Sequence, residues 1–390
     1  MPEDQTQPLV LTPKSVLDGI SPLVLTATLK PIGGLDRFQP AGFPEIGHVI
    51  YKAPRQDGHV ENVCIVDSPA SMANHLEAVC LRGPHDLELD DNLAGMPYLR
   101  CVTGNLADKK LPPEKRELVV TSLTEGHRIA SDYFLKGREL KSDNEIDDEQ
   151  FGGRLMKQFK AQPLKGENAY LPPAGWWDVF RYIYHYDPNA LAHGVLFPKW
   201  QIKIARFLTA HLEAFGAARV DRSGVKFDRL GKTTSGQPIF AVDDETASEI
   251  RATFIFDVAL LRSFGRTENG SDGEKVRGLS EKQKEFVAAL ALWKIDRLLK
   301  TPFRYRSGCH LELVSLKYGE QKATLDVNIK NAINSAKFRD DGDQAPIITD
   351  IYWPHDELYR EAEDDNPAGS ATENNAGNDS DDEEGDGEDA

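Results

Sequence analysis

Residues 22–29 read Pro22-Leu23-Val24-Leu25-Thr26-Ala27-Thr28-Leu29 and are followed by Lys30-Pro31. β-Branched and apolar side chains suit a pleated strand and a proline cannot donate to the next rung, so this stretch predicts a strand with a hard stop. Gly33, Gly34, Pro40, Gly42 and Pro44 then punctuate the chain too densely for regular structure. The resulting loop carries Arg37, Phe38 and Gln39: a cation, a stacking face and an amide in three residues. Such triples suit splayed single-stranded RNA. Val60 to Val66 predicts a second strand. Ser68 and Pro69 supply an N-cap and a first-turn proline for a helix through Ala73, Leu76, Val79 and Cys80. The opening is thus strand, loop, strand, helix.

Further along, Leu99 to Gly175 is irregular, with Pro112-Pro113, the acidic run Asp143 to Glu149 and Pro172-Pro173, and reads as an inserted region with short helices. Trp200, Ile204, Phe207, Leu208, Leu212 and Phe215 fall at helical spacing and Gly216 follows, which predicts a helix over Pro198 to Phe215. Phe254 to Leu261 is a buried-strand candidate. Ser280 opens a second helix through Phe286, Leu290, Trp293 and Leu298, and His310 to Leu316 alternates as a strand. Interspersed strands and helices make an α+β fold with insertions, not a bundle or sandwich.

The 390 residues are 40% hydrophobic and 28% charged, a folded composition, with a formal charge of −17. Thirteen carboxylates and no Lys or Arg lie in residues 361–390, leaving 46 basic against 50 acidic residues over 1–360. The body is nearly neutral, so net charge does not argue against a nucleic-acid partner. The acidic tail buries too little to offset its ordering entropy and is expected to be disordered, serving solubility or tempering nonspecific nucleic-acid binding. Cys64, Cys80, Cys101 and Cys309 are far apart and predict buried reduced thiols, not a zinc site. The acidic, polar N-terminus is unlike a secretory signal and no apolar run approaches a membrane span, so a cytoplasmic location is expected.

No Gly-x-Ser-x-Gly, Walker loop, His-Glu-x-x-His or dinucleotide glycine fingerprint occurs, and neither cofactor nor metal is expected. His193 beside Gly-Val-Leu-Phe reads as a packed residue. Tyr182, Tyr184, His185 and Tyr186 could stack bases, although core packing explains them more simply. Ser68, Ser71, Asn74 and His75 sit at a helix N-terminus, where backbone N–H groups stabilise phosphate. Arg219 to Phe240 holds Arg219, Arg222, Lys226, Arg229 and Lys232 against Asp221 and Asp228 around three glycines, a basic hairpin fit for a nucleic-acid clamp. Lys300, Arg304 and Arg306 alternate with Phe303 and Tyr305.

Several ordered motifs carry a family likeness: Arg37-Phe38-Gln39-Pro40-Ala41-Gly42-Phe43-Pro44, Asp67 to Glu77, Gly95-Met96-Pro97-Tyr98, and Thr121 to Ser131 with His127 and Arg128. Others follow at His193 to Phe197, Gly224-Val225-Lys226, Asp257 to Arg262 and Arg304 to Cys309. Over about residues 22–316 the chain resembles the RAMP-superfamily backbone subunit (Cas seven group) of type I-G, formerly type I-U, CRISPR Cascade complexes. The resemblance implies a right-hand-like subunit with an RRM or ferredoxin-like palm, a helical finger insertion and a thumb hairpin. It divides the chain into a leader (1–20), palm (21–98), finger-like region (99–175), helical palm part (176–218), thumb-like hairpin (219–250), second palm part (251–360) and acidic tail (361–390).

What the resemblance implies about function is a non-enzymatic subunit that polymerises along the spacer of a CRISPR RNA and presents it to target DNA. The implied partners are the guide, further copies of itself, the Cascade large subunit and a Cas five/six-type subunit, without a membrane. The implied RNA-binding residues are Arg37, Phe38, Gln39, Ser68, Ser71, Met72, Asn74, His75, His127, Arg128, Lys226, Arg229, Lys232, Arg304 and Arg306. Two alternatives remain open: a type III-like subunit cutting target RNA through Asp36, and a monomeric RNA-binding protein.

Overall fold

The computed structural model describes residues 7–43, 47–163, 169–220, 244–270, 273–301, 303–340 and 345–358. Its main sheet has nine strands: β1 (Leu9–Leu11), β2 (Leu23–Pro31), β3 (Ile50–Pro54), β4 (Val60–Asp67), β5 (Leu208–Phe215), β6 (Glu249–Phe256), β7 (Phe303–Arg306), β8 (Cys309–Tyr318) and β9 (Gln321–Leu325). Their order is β1-β9-β8-β2-β6-β5-β4-β3, with β7 paired to the start of β8. Every pairing is antiparallel except β1 with β9.

The four middle strands, β8-β2-β6-β5, interleave two strand–helix–strand units. Helix α1 (Pro69–Ala78) lies in the connection from β2 to β5, and α4 (Glu281–Lys300) joins β6 to β8. Each strand alternates, burying Leu23, Leu25, Ala27 and Leu29 of β2, Leu208, Ala210, Leu212 and Ala214 of β5, and Ile250, Ala252, Phe254 and Phe256 of β6. That face meets the helices. The other carries rows of half-exposed side chains, Thr26–Thr253–His211 and Thr28–Arg251–Glu213 in register. Helix α4 starts with a Ser280–Gln283 capping box and is buried almost continuously from Phe286 to Ile295, as befits a helix enclosed by sheet and neighbouring helices.

The β2 strand, the β4 strand, the Ser68-capped helix, α4 and the β8 strand all form where the residues predict them. Pro198 to Phe215 does not. It forms a 3-10 turn over Pro198–Trp200, a short strand Ile202–Ile204 and then β5. Small Ala210 and Ala214 hide a period of two among bulkier residues that also match 3.6, and pairing with β4 and β6 decides for the strand. Gly216 ends that strand at φ 62° instead of capping a helix. The Phe254 candidate stops at Phe256, because the Asp257 side chain accepts from Leu260 N and starts a helix over Val258–Ser263.

Residues 99–175 carry strands as well as short helices. Leu99–Thr103, Glu117–Thr121, Arg138–Leu140 and Ile146–Gln150 form a second sheet completed by Thr349–Tyr352, which pairs parallel to Leu99–Thr103. Helices α2 (Trp176–Tyr186) and α3 (Pro188–His193) follow the insertion. Tyr184, His185, Tyr186 and His193 are buried, and Tyr184 stacks on Phe338 at 5.4 Å. All four cysteines are buried and free, and burial pushes the Cys80 thiol up to about 11. Among the described residues no helix is long and apolar enough to cross a membrane.

Candidate nucleic-acid interface

At one end of the main sheet four separate segments meet. Strand β4 ends at Asp67, where Ser68 caps α1: its Oγ accepts from Ser71 N at 3.2 Å while its own N donates to Asp67 Oδ1 at 2.9 Å. Asp67, only 2% exposed, holds two further partners on Oδ2, His75 Nε2 at 2.7 Å and Arg306 Nη2 at 3.0 Å. Burial works to raise its pKa, but the bonds from His75 and Ser71 and the Arg306 charge outweigh it and hold the carboxyl below its ordinary value. Arg306 also donates to Val66 O at 2.6 Å, and Tyr305 meets the His75 ring edge-on at 5.3 Å. One buried carboxylate therefore fastens the helix start to the β7–β8 hairpin.

The loop after β2 is tied to the same place. Gln39 N donates to Gly308 O at 2.9 Å and Ala41 N to Val66 O at 2.9 Å. Gly308 lies at φ 77°, and a Cβ there would come 3.1 Å from the Gln39 side chain, so glycine serves both conformation and close approach. Phe38 exchanges backbone hydrogen bonds with Glu245 at 2.9 and 2.8 Å, and Thr246 Oγ1 donates to Asp36 O at 2.7 Å. Glu245 belongs to Asp244–Thr246, which pairs with Ala218–Val220, so the two ends of the stretch expected to form the basic hairpin lie side by side. The tip, with Lys226, Arg229 and Lys232, and the acidic tail lie outside the described residues.

The loop, helix start, hairpin base and Arg304–Arg306 segment singled out by sequence thus adjoin one another. Arg37, Asn74 and Arg304 are exposed there, with Arg37 3.4 Å from Asp36 and Arg304 donating to Ser307 Oγ at 2.6 Å. Ser68, Ser71, His75, Gln39 and Arg306 are half-buried. Two expectations need correcting. Phe38 is 2% exposed and Met72 fully buried, so neither offers a surface for a base: Phe38 is drawn in by its bridge to Glu245, and Met72 faces the core from α1.

His127 and Arg128 lie toward the other end of α1. His127 is exposed and 3.3 Å from Glu125. Arg128 is not a free cation: it forks onto buried Glu77 with bonds of 2.7 and 2.6 Å and donates to Gly194 O at 3.2 Å. Its backbone adopts φ 53°, a left-handed conformation that the fork sustains. Glu77 Oε1 also accepts from Asn189 at 2.7 Å, and Asn189 Oδ1 accepts from Lys294, whose Nζ lies 3.0 Å from His193 Nε2. The sequence reading passed over Glu77 and Lys294, yet both stand in apolar stripes: Glu77 with Ala73, Leu76 and Cys80, and Lys294 with Leu290 and Leu298.

The family described as CRISPR-associated protein GSU0053 matches residues 23–219, just over half of the chain. The chain belongs to the CRISPR-associated protein GSU0053 family. It therefore has a role in CRISPR immunity. The comparison with curated proteins gives no match. Within the GSU0053 span fall Arg37, Asp67, the whole of α1, Arg128 and His193, whereas Lys294, Arg304 and Arg306 lie beyond it.

Proposed function

We propose that this CRISPR-associated protein is a guide-binding backbone subunit. It holds the sugar–phosphate backbone of a CRISPR RNA, repeats along the spacer, and leaves the bases free to pair with target DNA, in a type I-G Cascade together with a large subunit and a Cas five/six-type subunit. In this reading β8-β2-β6-β5 with α1 and α4 is the RRM-like palm, the 99–175 region the finger, and the basic stretch 219–250, whose two ends pair through Ala218–Val220 and Asp244–Thr246, the thumb. The observation that carries it is the convergence of the Arg37 loop, the α1 N-terminus, the thumb base and Arg304–Arg306 at one end of an antiparallel sheet. Helix-start N–H groups and exposed guanidiniums recognise phosphate and not sequence, which suits a subunit that leaves sequence to base pairing.

No catalytic residue is assigned. The deciding experiment is to purify the protein after co-expression with a CRISPR array and sequence the bound RNA. Guide RNA on a multi-copy assembly is expected. Random cellular RNA, or a monomer on RNA, overturns the reading, as does metal-dependent RNA cleavage abolished by Asp36→Ala.

A further inference from the structure

A groove of about 570 Å³ lies on the flank of the molecule that carries His127. Three parts of the chain wall it: the short helix Asp132–Leu135, the 3-10 turn Pro198–Trp200 with Phe197 before it, and the segment from Trp353 to Leu358. The lining is aromatic. Phe197 and Trp200 stack with ring centroids 4.9 Å apart, and Tyr133 is left 39% exposed. Trp353 Nε1 donates to Tyr133 O at 2.6 Å, so the indole has its one polar partner and offers an occupant only apolar surface. Covering such a concavity removes apolar area from water.

The course of the chain says what covers it. Leu358, itself part of the lining, packs against the main core, and no residue beyond it belongs to the described structure. Consecutive Cα atoms are about 3.8 Å apart, so residue 359 starts within the perimeter of the groove. Residues 359–390 contain one aromatic, Tyr359, and no Val, Leu, Ile, Met, Phe or Trp. The one tail side chain suited to an aromatic groove is therefore the first to reach it. Charge agrees. Glu125 faces His127 at 3.3 Å and Asp132 holds Lys136 at 2.6 Å, which leaves Lys199 and Glu357 exposed in the lining with no ionic partner among the described residues. Arg360 and Glu361 supply the two complements directly after Tyr359.

We propose that the groove seats the chain's own segment Tyr359-Arg360-Glu361, with the tyrosine ring against the aromatic lining, Arg360 on Glu357 and Glu361 on Lys199. The ring supplies the apolar cover, and the two exposed ion pairs set direction more than affinity. The acidic tail then starts from a fixed point on this flank instead of from a free end. The seat stands whether or not the chain binds a guide.

Trypsin cuts after Arg360, inside the proposed seat, so the full chain reports on itself. A peptide of residues 355–366 sets the unprotected rate. When opening is fast, cleavage tracks the open population, so the native chain should be cut at this bond at least about tenfold more slowly than the peptide, independently of protein concentration. Tyr133→Ser replaces an exposed ring, leaves the cleaved sequence unchanged and should bring the rate to within about twofold of the peptide at an unaltered melting temperature. Tyr359→Ser lies outside the described fold and should do the same against a peptide of its own sequence. Lys199→Glu should speed the cut by only about threefold, because an exposed pair contributes little. A native chain cut as fast as the peptide overturns the seat. Protection that survives both Tyr133→Ser and Tyr359→Ser does so too, and protection that grows with protein concentration gives the groove to a second copy and overturns it equally.

Discussion

Helix α1 carries a charged cluster at each end, and the two have similar chemistry in different surroundings. At the N-terminus Asp67 gathers Ser68, His75 and Arg306 beneath a surface on which Arg37, Asn74 and Arg304 stay exposed. Toward the C-terminus Glu77 gathers Arg128 and Asn189, with Lys294 and His193 behind, and all but the edge of Arg128 is sealed. The first cluster shapes a surface that can take a ligand. The second closes on itself and joins α1 to α3, to α4 and to the loop before Arg128, so its contribution is to hold those elements in one arrangement. A carboxylate–arginine pair in a sequence thus says nothing about binding until its burial is known.

The sharpest way to break this comparison is Glu77→Ala. It strands a guanidinium and the Asn189 amide in the core, and unfolding by denaturant should show a loss of about 3–5 kcal/mol, the range for removing one partner of a buried ion pair. A loss under about 1 kcal/mol would show that the inner cluster is wet. Asp187 comes next: burial and nearby Glu77 push its carboxyl up to about 7. Its folded pKa exceeds the unfolded one, so its protonated form stabilises at acid pH and that contribution is lost between about pH 4 and pH 7. Asp187→Asn keeps an N-cap for α3 and cannot ionise, so the variant should gain on the wild type across that window, by about 4 kcal/mol near pH 8 at roughly 1.4 per pKa unit. Parallel stability profiles for the two proteins would remove Asp187 from the buried network.

At the outer cluster the effects should be smaller on stability and larger on binding. Arg306→Ala frees Asp67 and the β7–β8 turn, and is expected to weaken RNA binding about tenfold, or about 1.4 kcal/mol. Filter binding at fixed salt measures this, and an unchanged affinity would leave Arg306 a structural tie alone. The least effect belongs to Ser68→Ala, which loses the cap bond to Ser71 N for about 1 kcal/mol of stability, whereas Ser68→Gly should cost only a few tenths. Thermal melts of the pair separate the lost cap from any other disturbance of the helix start.

Much of the fold was legible because its signals are local. The alternation of β2 and β8, the Ser68-Pro69 start and the Ser280 capping box each lie within a few residues. Where two periodicities overlap, as over 198–215, local pattern misled, since only pairing with β4 and β6 separates strand from helix. The candidate interface was legible as pieces: loop, helix start, hairpin and basic–aromatic run were each recognisable, but not that they adjoin. Phe38 and Met72 could be placed at a surface only by ignoring which way each element turns.

By itself the sequence determined the α+β class, the caps, the near-neutral body beside a strongly acidic tail and the residue types suited to phosphate. Tertiary structure decided which charges are free. Arg37 and Arg304 stand in solvent, whereas Arg128 is consumed by Glu77 and Arg306 is shared between Asp67 and Val66 O. The reason is physical: propensity, capping and alternation act over a few residues, but the availability of a charge depends on desolvation and on partners far along the chain, 240 positions away for Arg306 and Val66.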